Sequence, residues 1–247
     1  MKKQIAVILA AAACQFALAQ TGQFDYGYSS HTQALTSTDK ALLSISNQGL
    51  MPADFKNVYS DIKGSAFYST DWMTANLYNQ RGNVYRNMKA MFDLYKNRLF
   101  LNVRDTVYNT GPAIVRFDLL PNGMADTTHK LTFSNQFTLP DPAAGKYVQV
   151  ISQGKLSFVK YVSREVVEEF SGMNSGKEKV FYDKTYYYVI ASTGQPLDVP
   201  KLNKKNLQKA LSDKWNEIDK FVSQDRDLSY GREEDWKKII DYYNSLP

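Results

Sequence analysis

The chain has 247 residues, 43% of them hydrophobic, and 30 Lys and Arg stand against 25 Asp and Glu for a formal charge of +5. A charge this near balance, with no Lys/Arg block, excludes the electrostatic footprint of a nucleic-acid binder. The length supports a substantial core in one large domain or two small ones.

Residues 1–19 read as a secretory signal peptide. Lys2 and Lys3 supply the positive start, Ile5 to Ala13 the apolar core, and Ala17-Leu18-Ala19 an A-x-A cleavage site before Gln20. Cys14 follows Ala11-Ala12-Ala13, a run that loosely resembles a lipoprotein acylation site. The position three residues before it, however, holds Ala11 rather than Leu, so cleavage after Ala19 is the preferred reading. The expected address is therefore outside the cytoplasm, in the periplasm or associated with the outer membrane. Cys14 is the single cysteine, so the trimmed chain would hold none. That removes disulfides, a thiol nucleophile and any cysteine-based metal site.

Residues 20–50 form a polar lead-in rich in Ser, Thr, Gln and Asn, with a short helix around Thr38 to Ser46. Residues 51–198 read as a β-rich domain. Phe55, Val58, Tyr59 and Ile62 recur at helical spacing near its start, a brief docking helix. Trp72 to Tyr78 then leads into a Gly82 hairpin, and Val84 to Tyr95 alternates. Val84, Met88, Ala90, Phe92 and Leu94 are expected on one face, with Tyr85, Asn87, Lys89, Met91, Asp93 and Tyr95 on the other. After a turn at Lys96-Asn97, Leu99, Leu101 and Val103 return the apolar face. Further strands are expected at Ile114 to Leu119, Leu131 to Phe137, Tyr147 to Ser152, Lys155 to Val162, Val180 to Tyr182 and Tyr186 to Ile190. Gln153-Gly154 marks a hairpin, and Ser171 to Lys177 an exposed loop.

Residues 199–247 form a helical segment. Leu207 and Leu211 lie one turn apart, Trp215, Ile218, Phe221 and Val222 make a stripe with Ser212-Asp213 as its cap, and Trp236, Ile239, Ile240 and Tyr243 repeat it. Glu233, Glu234 and Asp235 suit the positive end of that last helix. The fold class is thus α+β: a mainly antiparallel sheet, as a rolled sheet, sandwich or small barrel, followed by a C-terminal helical segment packed on it.

Several short motifs carry a resemblance. Gly64-Ser65-Ala66-Phe67-Tyr68, Gly82-Asn83-Val84-Tyr85, Arg98-Leu99-Phe100, Tyr147 with Gly154-Lys155-Leu156, and the ending from Glu233 to Leu246 together make the chain similar to uncharacterised secreted proteins of Gram-negative Bacteroidota. The resemblance spans most of the trimmed chain. It implies export and transfers no functional residue.

Candidate chemistry is sparse. His31 and His129, the two histidines, sit in polar stretches outside any metal-binding motif, and no nucleophile elbow or phosphate-binding glycine loop occurs. No catalytic, metal or cofactor-binding residue is expected, and no cofactor. Tyr182, Tyr186, Tyr187 and Tyr188 are the candidate binding residues, since neighbouring tyrosines on a strand point to opposite faces and at least one should lie outward. Cross-strand packing with a wet hydroxyl is the competing account of these rings. Glu165, Glu168 and Glu169 are expected on a helical turn or a β edge, and Asp225, Arg226 and Asp227 in a linker. The reading that follows is a non-enzymatic exported protein with a binding or scaffolding role in the cell envelope. Its expected partner is an envelope protein or glycan, with no nucleic acid and no integral membrane span. The alternatives are a carboxylate-dependent glycan hydrolase and an outer-membrane β-barrel.

Overall fold

A computed structural model describes residues 36–46, 51–52, 59–121, 123, 128–170, 176–192 and 194–247. The expected signal segment, most of the polar lead-in and most of the expected docking helix lie outside them. What is described at the edges of that helix is not helical: Tyr59 to Asp61 form a turn, and the flanking strands are β1 (Met51–Pro52) and β2 (Ile62–Lys63).

The meander forms as the alternation requires. β3 (Met73–Asn79), β4 (Val84–Asp93), β5 (Arg98–Val103) and β6 (Thr106–Asn109) pair in antiparallel succession. One expectation inverts at the start of β4. Ala75 pairs with Met88 but Leu77 pairs with Tyr85, so Arg86 and Asn87 face Asn76 alone. This is a bulge, with Asn87 at φ 60°, and an extra residue reverses which face the earlier side chains take. Tyr85 is therefore buried in the core with Met88, while Val84 points outward. The Tyr85 ring also meets α1 (Ser37–Ser46), where its hydroxyl and that of Ser44 share a 2.9 Å hydrogen bond.

The remaining strands are β7 (Ile114–Leu120), β8 (Leu131–Ser134), β9 (Val148–Ser152), β10 (Leu156–Phe170), β11 (Lys177–Ala191) and β12 (Pro196–Val199). β8 stops at Ser134, short of Phe137. The runs Val180 to Tyr182 and Tyr186 to Ile190 are one strand, because Asp183, Lys184 and Thr185 keep full register with Arg164, Ser163 and Val162. Glu165, Glu168 and Glu169 accordingly lie on β10, not on a helical turn. Cross-strand ion pairs at 3.0 Å join Glu165 to Lys184 and Glu168 to Lys177, which offsets the charge of this polar stretch while the ladder with β11 keeps it extended.

Strand order is β1-β6-β5-β4-β3-β7-β8-β9-β10-β11-β12, an open and almost wholly antiparallel sheet. It is strongly rolled. Phe92 on β4 and Phe133 on β8 are three strands apart, roughly 14 Å in a flat sheet at the usual strand spacing. Their ring centroids lie 5.0 Å apart. A short segment then spans the opening: β2 pairs in parallel with Lys179 and Val180 of β11, and Phe67 bridges Asp93 of β4. Gly64, at φ +97°, makes the turn between these two pairings, a conformation that costs other residues strain. Phe181, Tyr95 and Phe67 pack edge-on around Tyr59 beneath it.

The helices α2 (Lys204–Ala210), α3 (Trp215–Gln224) and α4 (Glu233–Ser245) close the other end of the concave face. Pro196–Val199, at the boundary between the β-rich and helical regions and not named among the expected strands, adds an edge strand. Asn203 caps α2 through its side chain, whereas Ser212 and Asp213 form a 3₁₀ turn and give α3 no side-chain cap. Leu207, Ile218, Trp236, Ile239 and Ile240 bury against Leu156, Phe158 and Val189. Trp236 is fully enclosed, and its indole N–H donates to the Tyr230 carbonyl at 2.8 Å. A second core, around Phe92, Phe117 and Phe133, fills the roll itself. Among the described residues no helix is long and apolar enough to cross a membrane.

Candidate functional site

The two cores share one concave face, and polar residues separate them. On β10 the side chains of Leu156, Phe158, Lys160, Val162 and Arg164 alternate onto that face. Phe158 joins the helical core and Val162 the core of the roll, with Lys160 between them. A charged residue set within an apolar stripe needs partners, because an unpaired buried charge is costly. Lys160 donates to both carboxylate oxygens of Glu233, at 2.8 and 3.0 Å, from the first turn of α4. Tyr187 on β11 donates its hydroxyl to the same carboxylate at 2.8 Å. Burial, then the bond to Glu233, holds the Tyr187 phenol well above its ordinary range.

Arg164 makes the second knot. Its guanidinium reaches both oxygens of Asp183, at 2.6 and 2.7 Å, and donates to the carbonyls of Ser65 and Phe67 at 2.5 and 3.0 Å. It thereby ties the bridging segment to β10 and β11, a planar fork matched to its acceptors. Beside it opens a cavity of about 170 Å³ whose lining includes Tyr68, Gln149, Lys160, Arg164 and Asp183 over Phe92 and Phe133. A shallower hollow of about 410 Å³ continues across Tyr68, Arg164 and Asp183 to Ser69, Thr70 and Tyr182. Tyr68 stands at the junction, 38% exposed, its ring edge-on to Phe133 at 5.6 Å. Burial and then the negative charge of Glu233 push its phenol upward.

The surface chemistry follows from these contacts. Arg164 spends its donors on protein acceptors and is a clamp. Asp183, 43% exposed, keeps acceptor capacity toward solvent, and the Gln149 amide offers both donor and acceptor. Tyr68 adds an apolar ring with a hydroxyl.

The four tyrosines expected to bind do not assemble into one platform. Tyr187 faces the concave side, stacked on Phe158 at 5.6 Å. Tyr188 is 2% exposed, packed with Leu139 and Ala143 on the opposite face, where Tyr186 stacks on Tyr161 at 6.0 Å. Tyr182 is 54% exposed and borders the shallow hollow. Tyr68, Lys160, Arg164 and Glu233 were not among the candidate site residues of the sequence reading, where Glu233 served only the helix dipole and Tyr68 only a short motif. The available signal was Lys160 and Arg164 falling on the apolar face of an alternating strand. His129 is exposed, its Nδ1 3.1 Å from Thr128 Oγ1, and His31 lies outside the described residues. Among the described residues no three His, Cys, Asp or Glu side chains converge.

Scans against protein-family models, curated proteins and solved structures each found no match.

Proposed function

We propose that this is an exported, non-enzymatic envelope protein that binds a glycan through the cleft at Tyr68, Gln149 and Asp183. The observation that carries this reading is the composition of the cleft. One half-exposed aromatic ring shares the lining with an amide and a carboxylate, and both nearby acids, Asp183 and Glu233, are already held by cations. An aromatic face with flanking amide and carboxylate groups suits a polyhydroxylated ring, whose C–H face stacks while its hydroxyls donate. Size narrows the guest. Pockets that enclose a whole small molecule run to about 300–1,000 Å³, and the inner cavity is about 170 Å³. It suits one saccharide unit projecting from a longer chain, with the shallow hollow beside Tyr182 taking its neighbour. Export rests on Lys2, Lys3 and the Ala17-Leu18-Ala19 site, and the resemblance to secreted Bacteroidota proteins agrees with it.

The test is calorimetric titration with neutral hexose and N-acetylhexosamine oligosaccharides. Saturable binding is expected, weakened about tenfold or more by Tyr68→Ala and by Gln149→Ala. Absence of saturation across the panel refutes the reading. So does turnover of an oligosaccharide that Glu233→Gln abolishes, which would establish the hydrolase instead.

A further inference from the structure

The convex face carries a second polar site, unrelated to the cleft. On β7, Arg116 lies beside Tyr78 of β3 and Ser134 of β8. Its guanidinium stands 5.0 Å from the Tyr78 ring centre and 3.6 Å from Asp118, beyond hydrogen-bond reach. Asp118 is 1% exposed and accepts from Tyr78 at 2.9 Å and Thr132 at 2.8 Å, so neutral hydroxyls already serve it. Arg116 Nε is buried, and among the described residues it has no hydrogen-bond partner. A buried donor on a cation is seldom left so.

The side chain as a whole is 33% exposed, and its surroundings say what would meet it. Arg116 lines a cavity of about 110 Å³ with Thr132, Ser134, Gln136, Phe137, Val150 and Gln153. The hydroxyl protons there are committed, Thr132 to Asp118 and Ser134 to the Val115 carbonyl. The donors that remain are Arg116 and the exposed amides of Gln136 and Gln153. The local charge is positive, since Lys130, 3.7 Å from Asp118, joins Arg116 against that single carboxylate. A donor-lined hollow with surplus positive charge, over the apolar Phe137 and Val150, selects a small planar anion.

We propose that the cavity beside Arg116 binds one carboxylate group, held by the Arg116 guanidinium and the Gln136 and Gln153 amides. The carboxylate can belong to an acidic sugar or to an acidic amino acid, and the two are separated by the probes. Glucuronate and a blocked aspartate are each titrated into the full chain, followed by backbone amide shifts in β7, β8 and β9, with glucose as the neutral control. The expected result is saturable shifts with one or both acids and none with glucose. Arg116→Lys, which keeps the charge but lacks the planar fork of donors, weakens binding about tenfold or more. If Arg116→Lys does not fold, the exposed pair Gln136→Ala and Gln153→Ala takes its place, with the same direction of effect. Unsaturable shifts, equal shifts with glucose, or unchanged affinity in the variants overturns the proposal.

Discussion

Gly154→Ala isolates one contact between the helical segment and the sheet. Gly154 sits in the β9–β10 turn with a backbone that alanine also adopts, so the substitution alone should stabilise by about 0.4–1 kcal/mol through the unfolded chain. A Cβ placed there, however, falls 2.5 Å from Cγ and 2.7 Å from Nδ2 of Asn244 on α4. That side chain is not free to yield. Its Oδ1 accepts from the Leu156 N–H at 2.8 Å, and its Nδ2 donates to the Leu156 carbonyl at 3.0 Å. Expelling it forfeits two hydrogen bonds that satisfy backbone groups, about 1–3 kcal/mol together. The net expectation is a loss of about 1–2 kcal/mol, which lowers Tm by about 3–6 °C in a chain this long. A double-mutant cycle by thermal or urea unfolding separates the causes. Asn244→Ala alone should cost a similar amount, and Gly154→Ala added to it should be neutral or mildly stabilising. A Gly154→Ala protein as stable as the parent, or strictly additive losses, refutes the reasoning.

Two further outcomes follow. Trp236→Ala leaves a large void against Phe158 and strands the Tyr230 carbonyl, so urea unfolding should show a loss of about 3–5 kcal/mol, with Trp236→Phe losing less. Hydrogen bonds from the Lys204 ammonium, first, and the Tyr230 hydroxyl hold the Asp219 carboxyl below its usual range, so its contribution to stability is present above pH ~4 and lost as pH falls through the lowered value. The Tm gap between the parent and Asp219→Asn should stay constant from pH 7 to 5 and close in acid. A gap that widens in acid contradicts the sign.

How far the fold could be read from the residues depended on whether neighbours in sequence decide the outcome. Leu99, Leu101 and Val103 obey period-two alternation, and Trp236, Ile239 and Ile240 obey the helical period, because each buries one face against whatever lies opposite. Tyr85 escaped because a single residue more on one strand of a pair is invisible until the partner is known. Asp183-Lys184-Thr185 resembled a break, since their compensating partners lie across the hairpin in Val162 to Glu165. The site was hidden for a related reason. Glu233 reads locally as a helix-dipole residue, and only the docking of α4 on the sheet brings it to Lys160 and Tyr187. The tyrosine run was legible as a two-sided strand, yet Tyr188 is sealed by the loop around Leu139 and Ala143, which no pattern in the run itself foretells.

The bridge from Ile62 to Tyr68 has a kinetic corollary. Its near side meets β4 within one meander, but its far side rests on β11, where Asp61 and Lys179 pair across 118 residues of chain. Pairings so distant in sequence carry the largest loop-closure entropy, and parallel ones form slowly. The seam, only two residue pairs long, is therefore expected to form after the hairpins, and native-state amide exchange should show it opening before them. The same seam is where the chamber would first unlatch under heat or force, with Arg164 as its pin.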